Sequence, residues 1–241
     1  MEINWESQVL SSVSKVIPKL SCLEIDIDKL HEVAAELSED SFSINYEGNT
    51  NTVPKEYIRK TMLINTLNFA FTDFLTSVKY KIENYSDTDA MVYQIDKALD
   101  QGIPLTQGRF MRDMNLKEFK TLFTGNIVMP MADEKVKILN NVGDILVTKY
   151  GGDWINFIDD GPKKLYDNGK GLVERLVRDF KRFDDHSIFE NEKVYFLKLA
   201  QLAFWGIHRE LSKRYFYIED MENMTAFADY IIPVALESFG I

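Results

Sequence analysis

A carboxylate set among apolar side chains is the first feature of this sequence that could do chemistry. Asp229 lies between Phe227 and Tyr230, with Ile231 and Ile232 beyond. An acid in that setting is either a helix cap with a hydrogen-bonded mate or a functional carboxylate. Lys198 and Gln201 are polar residues inside the otherwise apolar segment 194–207. Burying an ammonium without a partner is costly, so Lys198 must reach water, a carboxylate such as Asp185, or a ligand anion. A third stretch, Asn65 to Phe71, places two asparagines and two phenylalanines on an expected buried helix after Pro54. There Asn68 is either a satisfied core residue or a group facing a polar ligand, with Phe69 and Phe71 packed beneath it. A fourth, Ala98 to Thr106, reads as a helix stop followed by an extended turn.

Other chemistries find little support. His31, His186 and His208 are far apart and none sits in an HxxxH or CxxC context. A structural zinc site and a Ser/His or Cys/His nucleophile system therefore lack a signature. There is neither a GxxxxGK[ST] loop nor a GxGxxG turn. With one cysteine, Cys22, no intramolecular disulfide can form, which fits a reducing, cytoplasmic setting. The net charge of −10 argues against binding long nucleic acid, where a basic footprint supplies most of the affinity. A single lysine or helix N-terminus can still hold one phosphate. No apolar run reaches the roughly 18 residues of a membrane helix, and the N-terminus has no secretory pattern.

The elements that must position these groups are mostly helical. Ile27, Leu30, Val33, Ala34 and Leu37 recur at helical spacing, with Asp26 or Asp28 as N-cap. Met91, Ile95 and Leu99 form a stripe that Gly102 and Pro104 end. Asn115 and Glu118 resemble a capping box. Val136, Leu139, Val142 and Leu146 continue the pattern up to Gly151-Gly152, and Leu172 to Phe180 give another amphipathic helix. Residues 194–207 are expected to form a buried central helix. Two short strands, Phe42–Tyr46 and Val78–Ile82, alternate polar and apolar residues and are predicted to pair. Without a linker rich in Pro, Gly or Ser, residues 1–241 are expected to form one mainly α domain with a small β element.

Five segments together resemble the queuosine 5'-phosphate N-glycosylase/hydrolase family, the queuosine salvage proteins. The family's Asp-x-Leu-Asn-Phe-x-Phe is matched by Asn65–Phe71, and its Arg-Ala-x-x-x-Gly-Ile-Pro-x-Thr by Lys97–Thr106. Its Pro-Leu-x-x-Glu-Arg is matched by Pro130 to Lys135, and its Lys-Arg-Ala-Gln by Lys198–Gln201. Its Phe-Ala-Asp-Tyr-Arg-x-Pro-Gln is matched by Phe227–Val234. Each motif alone is weak, but their order and spacing agree from about residue 24 onward.

The resemblance implies a mainly helical fold like that of helix-hairpin-helix DNA glycosylases. It also implies hydrolysis of queuosine 5'-phosphate to queuine and ribose 5-phosphate, with no metal or organic cofactor. Asp229 then becomes the catalytic carboxylate, because positive charge develops at C1' and the ring oxygen as a ribosyl bond breaks. Phe227 and Tyr230 are expected to wall in the base, with Asn68 and Phe69 as further substrate-binding residues. On chemical grounds Lys198 or Arg175 is expected to hold the phosphate, and Asp185 to accept hydrogen bonds from base or sugar. The partner implied is a small nucleotide, with neither nucleic acid nor membrane.

Departures from the family pattern fall at Asn65, Leu199, Ile231 and Val234, all neutral where the family is polar or charged. Family members also continue past the Asp-Tyr pair, so a shortened C-terminus is expected, with Leu236 and Phe239 on an exposed apolar face. The alternative to an active hydrolase is a weak or inactive relative that binds a nucleoside or a protein partner.

Overall fold

Helices form wherever apolar residues recur at three- and four-residue spacing. The computed structural model describes residues 7–21, 23–37 and 51–241. It opens with α1 (Gln8–Val16) and α2 (Ile27–Glu36), the latter capped by Asp26, whose side chain accepts from the Lys29 N–H. α3 (Pro54–Leu67) begins with proline at its first position, where no N–H is needed. A minimal hairpin, β1 (Lys81–Ile82) and β2 (Tyr85–Ser86), leads into α4 (Asp87–Asp100). α4 stops at Gly102, whose φ of +77° suits glycine, and Pro104 follows. α5 (Gly108–Asp113), α6 (Leu116–Leu122) and the long α7 (Ala132–Lys149) come next. The predicted capping box is present at α6: Asn115 accepts from the Glu118 N–H, and Glu118 from the Asn115 N–H. α8 (Trp154–Asp159) and α9 (Leu172–Asp179) precede an antiparallel hairpin of β3 (His186–Phe189) and β4 (Glu192–Tyr195). α10 (Lys198–Leu211) and α11 (Ile231–Ser238) complete the chain.

One hydrophobic core runs from Val9 to Ile218. Met62, Leu63 and Leu67 of α3 meet Leu139, Val142 and Leu146 of α7, Leu176 of α9, and Phe204 and Ile207 of α10, all fully buried. Trp154, Phe157 and Phe180 add an aromatic cluster, with ring centroids 4.8 to 5.8 Å apart. α5 and α7 approach so closely that a Cβ at Gly143 would stand 2.3 Å from the Arg112 backbone nitrogen. Gly143→Ala is therefore expected to force the two helices apart and cost about 2 kcal/mol, read as a lower midpoint in urea denaturation.

The mainly α reading with a small β element holds, but three boundaries differ. Residues 42–46 lie outside the described residues, and Lys81–Ile82 pairs with Tyr85–Ser86 instead. Val194 and Tyr195 are strand, and the helix begins at Lys198, because Leu197 is fully buried in a left-handed conformation that breaks the run. The helix carrying Asn65 ends at Leu67, so Phe69 and Phe71 lie beyond it. α11 buries no side chain, and Tyr230, Ile231, Val234 and Phe239 are exposed. No helix among the described residues is long and apolar enough to cross a membrane.

Candidate functional site

The site is built on the first turns of α10 and on the irregular segment 224–230 laid against it. Lys198, Gln201, Trp205 and Arg209 recur at three- and four-residue steps, so they share one face of α10. Each meets a partner. The Lys198 ammonium donates to Asp229 Oδ2 as an ion pair. Fully buried Gln201 accepts from the Thr225 N–H at 2.9 Å and donates to Thr225 Oγ1 at 2.9 Å. Trp205 meets Phe227 edge to face at 5.9 Å, and Arg209 lies over the Trp205 ring at 4.3 Å.

Gln201 is the fastening with no water to replace it. Gln201→Leu is expected to leave the helices intact by circular dichroism. It should raise the rate of proteolytic cutting within 224–230 about 10-fold, the loss of roughly one buried hydrogen bond.

Asp229 does two things at once. Besides the ion pair with Lys198, its Oδ1 accepts from the Ile231 N–H at 3.2 Å, at the start of α11. The hydrogen bond from Lys198, and secondarily that from the backbone, holds its carboxyl below the usual carboxylate range. Asp229 is thus an ionised carboxylate at neutral pH. It lines an open cavity of about 520 Å³ with Asp185, Phe196, Ala226, Ala228, Ile232 and Pro233. Ala226 and Ala228 face this cavity, while Phe227 between them packs on Trp205, as alternation in an extended segment requires.

Backbone strain marks the entrance to α10. Leu197, immediately before Lys198, has φ +50°, a conformation that costs a non-glycine residue on the order of 1–3 kcal/mol. It is held there by its fully buried side chain and by the Asp185 carbonyl, which accepts from the Phe196 N–H at 3.0 Å and the Leu197 N–H at 3.4 Å. Asp185 and Lys198 are thereby fixed relative to one another through the main chain.

A second cluster includes Arg182, which feels the charge of Asp185. The Phe69 ring is held between two cations, Lys135 Nζ at 3.7 Å and the Arg182 guanidinium at 4.7 Å from its centroid. Lys135 donates to the Phe69 and Ala70 carbonyls, and Arg182 to the Thr66 carbonyl at 2.7 Å. Ala70 has φ +49°, so Lys135 fastens a strained turn. Lys135 is wholly buried, and burial pushes its pKa down to about 7; burial likewise takes Arg182 down to about 10.

Several expected roles move. Lys198 pairs with Asp229, not Asp185. Phe227 and Tyr230 do not line the cavity: the first is committed to Trp205 and the second is 79% exposed. Asn68 caps α3 and its side-chain oxygen accepts from Thr88 at 2.9 Å, so it is turned to α4. Arg175 is buried over the Phe157 ring, with hydrogen bonds to the Lys170 and Phe157 carbonyls, and lies off this cavity. Asp185 lines the same cavity as Asp229. Trp205 and Lys135 were missed, although both fall on inward stripes of their helices. A larger cavity, about 760 Å³, lies at the Gly102–Thr106 turn, where Arg59 is spent on a two-pronged pair with Asp153. Asp229 is the better centre because its cavity joins an ionised carboxylate to apolar walls. Among the described residues, no three His, Cys, Asp or Glu side chains gather to hold a metal.

A family model described as queuosine salvage protein matches residues 45–241. A relative from Mus musculus is 29% identical over 187 residues, covering 74% of this chain and 54% of its own length. One from Bos taurus is 26% identical over 214 residues, 85% of this chain and 61% of the relative. One from Sphaerobacter thermophilus is 24% identical over 238 residues, 97% of this chain and 72% of the relative. All three bear the name queuosine 5'-phosphate N-glycosylase/hydrolase. The chain thus spans little more than half the length of the two mammalian relatives.

Proposed function

The chain belongs to the queuosine salvage protein family, and on that premise we propose that it hydrolyses the N-glycosidic bond of queuosine 5'-phosphate. Water adds at C1', the C1'–N bond breaks, and queuine and ribose 5-phosphate leave. The observation that carries this reading is Asp229, paired with Lys198, on the wall of an open, largely apolar cavity.

As the glycosidic bond lengthens, positive charge grows on C1' and the ring oxygen. A carboxylate already ionised and held in place stabilises that charge without reorganising. Lys198 lowers the Asp229 pKa further below the ordinary carboxylate range and fixes one of its oxygens. Phe196, Ile232 and Pro233 supply the flat apolar wall for a base. Residues 1–241 act in this reading as one salvage-type domain, with the architecture of helix-hairpin-helix DNA glycosylases. A DNA substrate itself is disfavoured by the charge of −10. The substrate is a free nucleotide in the cytoplasm.

A second reading, a relative that binds a nucleoside without cleaving it, draws on the exposure of Tyr230 and on the neutral residues at Asn65, Leu199, Ile231 and Val234. Incubation of the purified protein with queuosine 5'-phosphate, with queuine followed by mass spectrometry, separates the two. Queuine released in many turnovers supports hydrolysis; a tight complex without release supports binding alone.

A further inference from the structure

The cavity beside Asp229 presents a second carboxylate that the proposed hydrolysis leaves unused. Asp185 lines the same space, and its side chain has no hydrogen bond or ion pair among the described residues. The cations around it are committed elsewhere. Lys193 and His186 both turn to Asp184, at 3.3 and 3.1 Å. Arg182 feels the Asp185 charge, but its guanidinium lies over the Phe69 ring and on the Thr66 carbonyl. Lys198 is spent on Asp229. Among the described residues no cation lines the cavity, and its other walls are Phe196, Ala226, Ala228, Ile232 and Pro233. The Asp185 residue is exposed, and its carbonyl ties its backbone to the strained entrance of α10.

An apolar cavity with one neutralised and one free carboxylate favours a ligand that brings a positive charge on an otherwise flat apolar body. We propose that Asp185 is a specificity-determining residue that pairs with a cationic amine carried on the substrate's base. The inference rests on the nucleotide-hydrolase reading and deepens it. Queuine carries a secondary amine on its side chain, protonated at neutral pH, which neutral 7-deazaguanine lacks. Asp185 would thus let the site tell an amine-bearing 7-deazaguanine nucleotide from an ordinary purine nucleotide.

The test compares queuosine 5'-phosphate with 7-deazaguanosine 5'-phosphate on the full chain, for the wild type, Asp185→Asn and Asp185→Glu. The Asn variant keeps the shape and removes the charge at a position with no structural bond to lose. The ratio of kcat/KM between the two compounds is expected to fall about 10-fold in Asp185→Asn, carried by KM, and to recover in Asp185→Glu. An unchanged ratio overturns the proposal and leaves hydrolysis standing. If the wild type turns over neither compound, the hydrolase reading fails, and calorimetric titration with free queuine and with 7-deazaguanine decides the rest. A preference for queuine that Asp185→Asn removes sustains the role of the carboxylate; equal binding of the two bases overturns it.

Discussion

Asp229→Asn is expected, on the hydrolysis proposed above, to lower kcat for queuosine 5'-phosphate by about 100- to 1,000-fold while leaving KM within a few-fold. The substitution keeps the side chain's shape and the cap on the Ile231 N–H, and removes the negative charge together with the oxygen that accepts from Lys198. A preorganised charge of this kind is worth roughly 3–4 kcal/mol to a transition state that develops positive charge. Lys198→Met supplies the companion result. In the wild type the Lys198 contact depresses the Asp229 pKa, so activity that needs the ionised form persists to acid pH and is lost only as pH falls through that lowered value. Without the ammonium the largest influence holding the carboxyl down is gone and only the backbone hydrogen bonds remain, so the acid limb of the pH profile must move upward. Steady-state rates between pH 3.5 and 8 measure both. A full rate in Asp229→Asn would remove this residue from the mechanism, and an unmoved acid limb in Lys198→Met would remove Lys198 as its tuner.

The second large effect concerns stability and comes from Lys135. Its pKa is about 7 in the folded chain against an ordinary 10.5, because burial disfavours the charged form and Arg182 adds like-charge repulsion. Between those two values the unfolded chain binds a proton that the folded chain does not, so stability rises with pH across that window. The slope approaches about 1.4 kcal/mol per pH unit, giving an expected gain of about 2–3 kcal/mol from pH 7 to pH 9. Lys135→Met should flatten the slope, whatever it does to the absolute stability through the lost clamp on Phe69 and Ala70. Urea denaturation at pH 7, 8 and 9 reads both slopes. Equal slopes would mean that the two carbonyls and the Phe69 and Phe71 rings keep the ammonium charged.

The helices were legible because their cause is local. Asp26, the Asn115/Glu118 box and the Gly102-Pro104 stop act within a few residues of themselves, and each does in the structure what its spacing predicts. The β3–β4 hairpin was not legible. Its turn is Glu190-Asn191, both at positive φ, without the Asn-Gly signal, and its apolar Val194-Tyr195 runs on into a helical pattern. The site residues stood out one by one as misfits, Lys198 in an apolar helix and Asp229 among aromatics. Their pairing spans 31 residues of sequence and depends on Gln201 fastening Thr225, which no local rule supplies. Phe227 was misplaced for the same reason: its partner Trp205 looked like an ordinary core residue. Lys135 carried a readable signal, since it shares the inward stripe of Leu139, Val142 and Leu146, yet a charged residue there is easily taken for a surface one.

Segment 224–230 lacks helix and strand, and it ends in a helix that buries nothing. Its hold on the protein is a short row of side-chain links to α10, whereas the helices behind it share the core. Two thermodynamic quantities therefore coexist in one chain. The opening of this segment is expected to need less free energy than the unfolding of the core, so molecules that have let go of Asp229 while keeping every core helix would form a distinct population. Loss of the carboxylate and loss of the fold are separate events, and a protein that is structurally intact by its helices can have its key charge out of place.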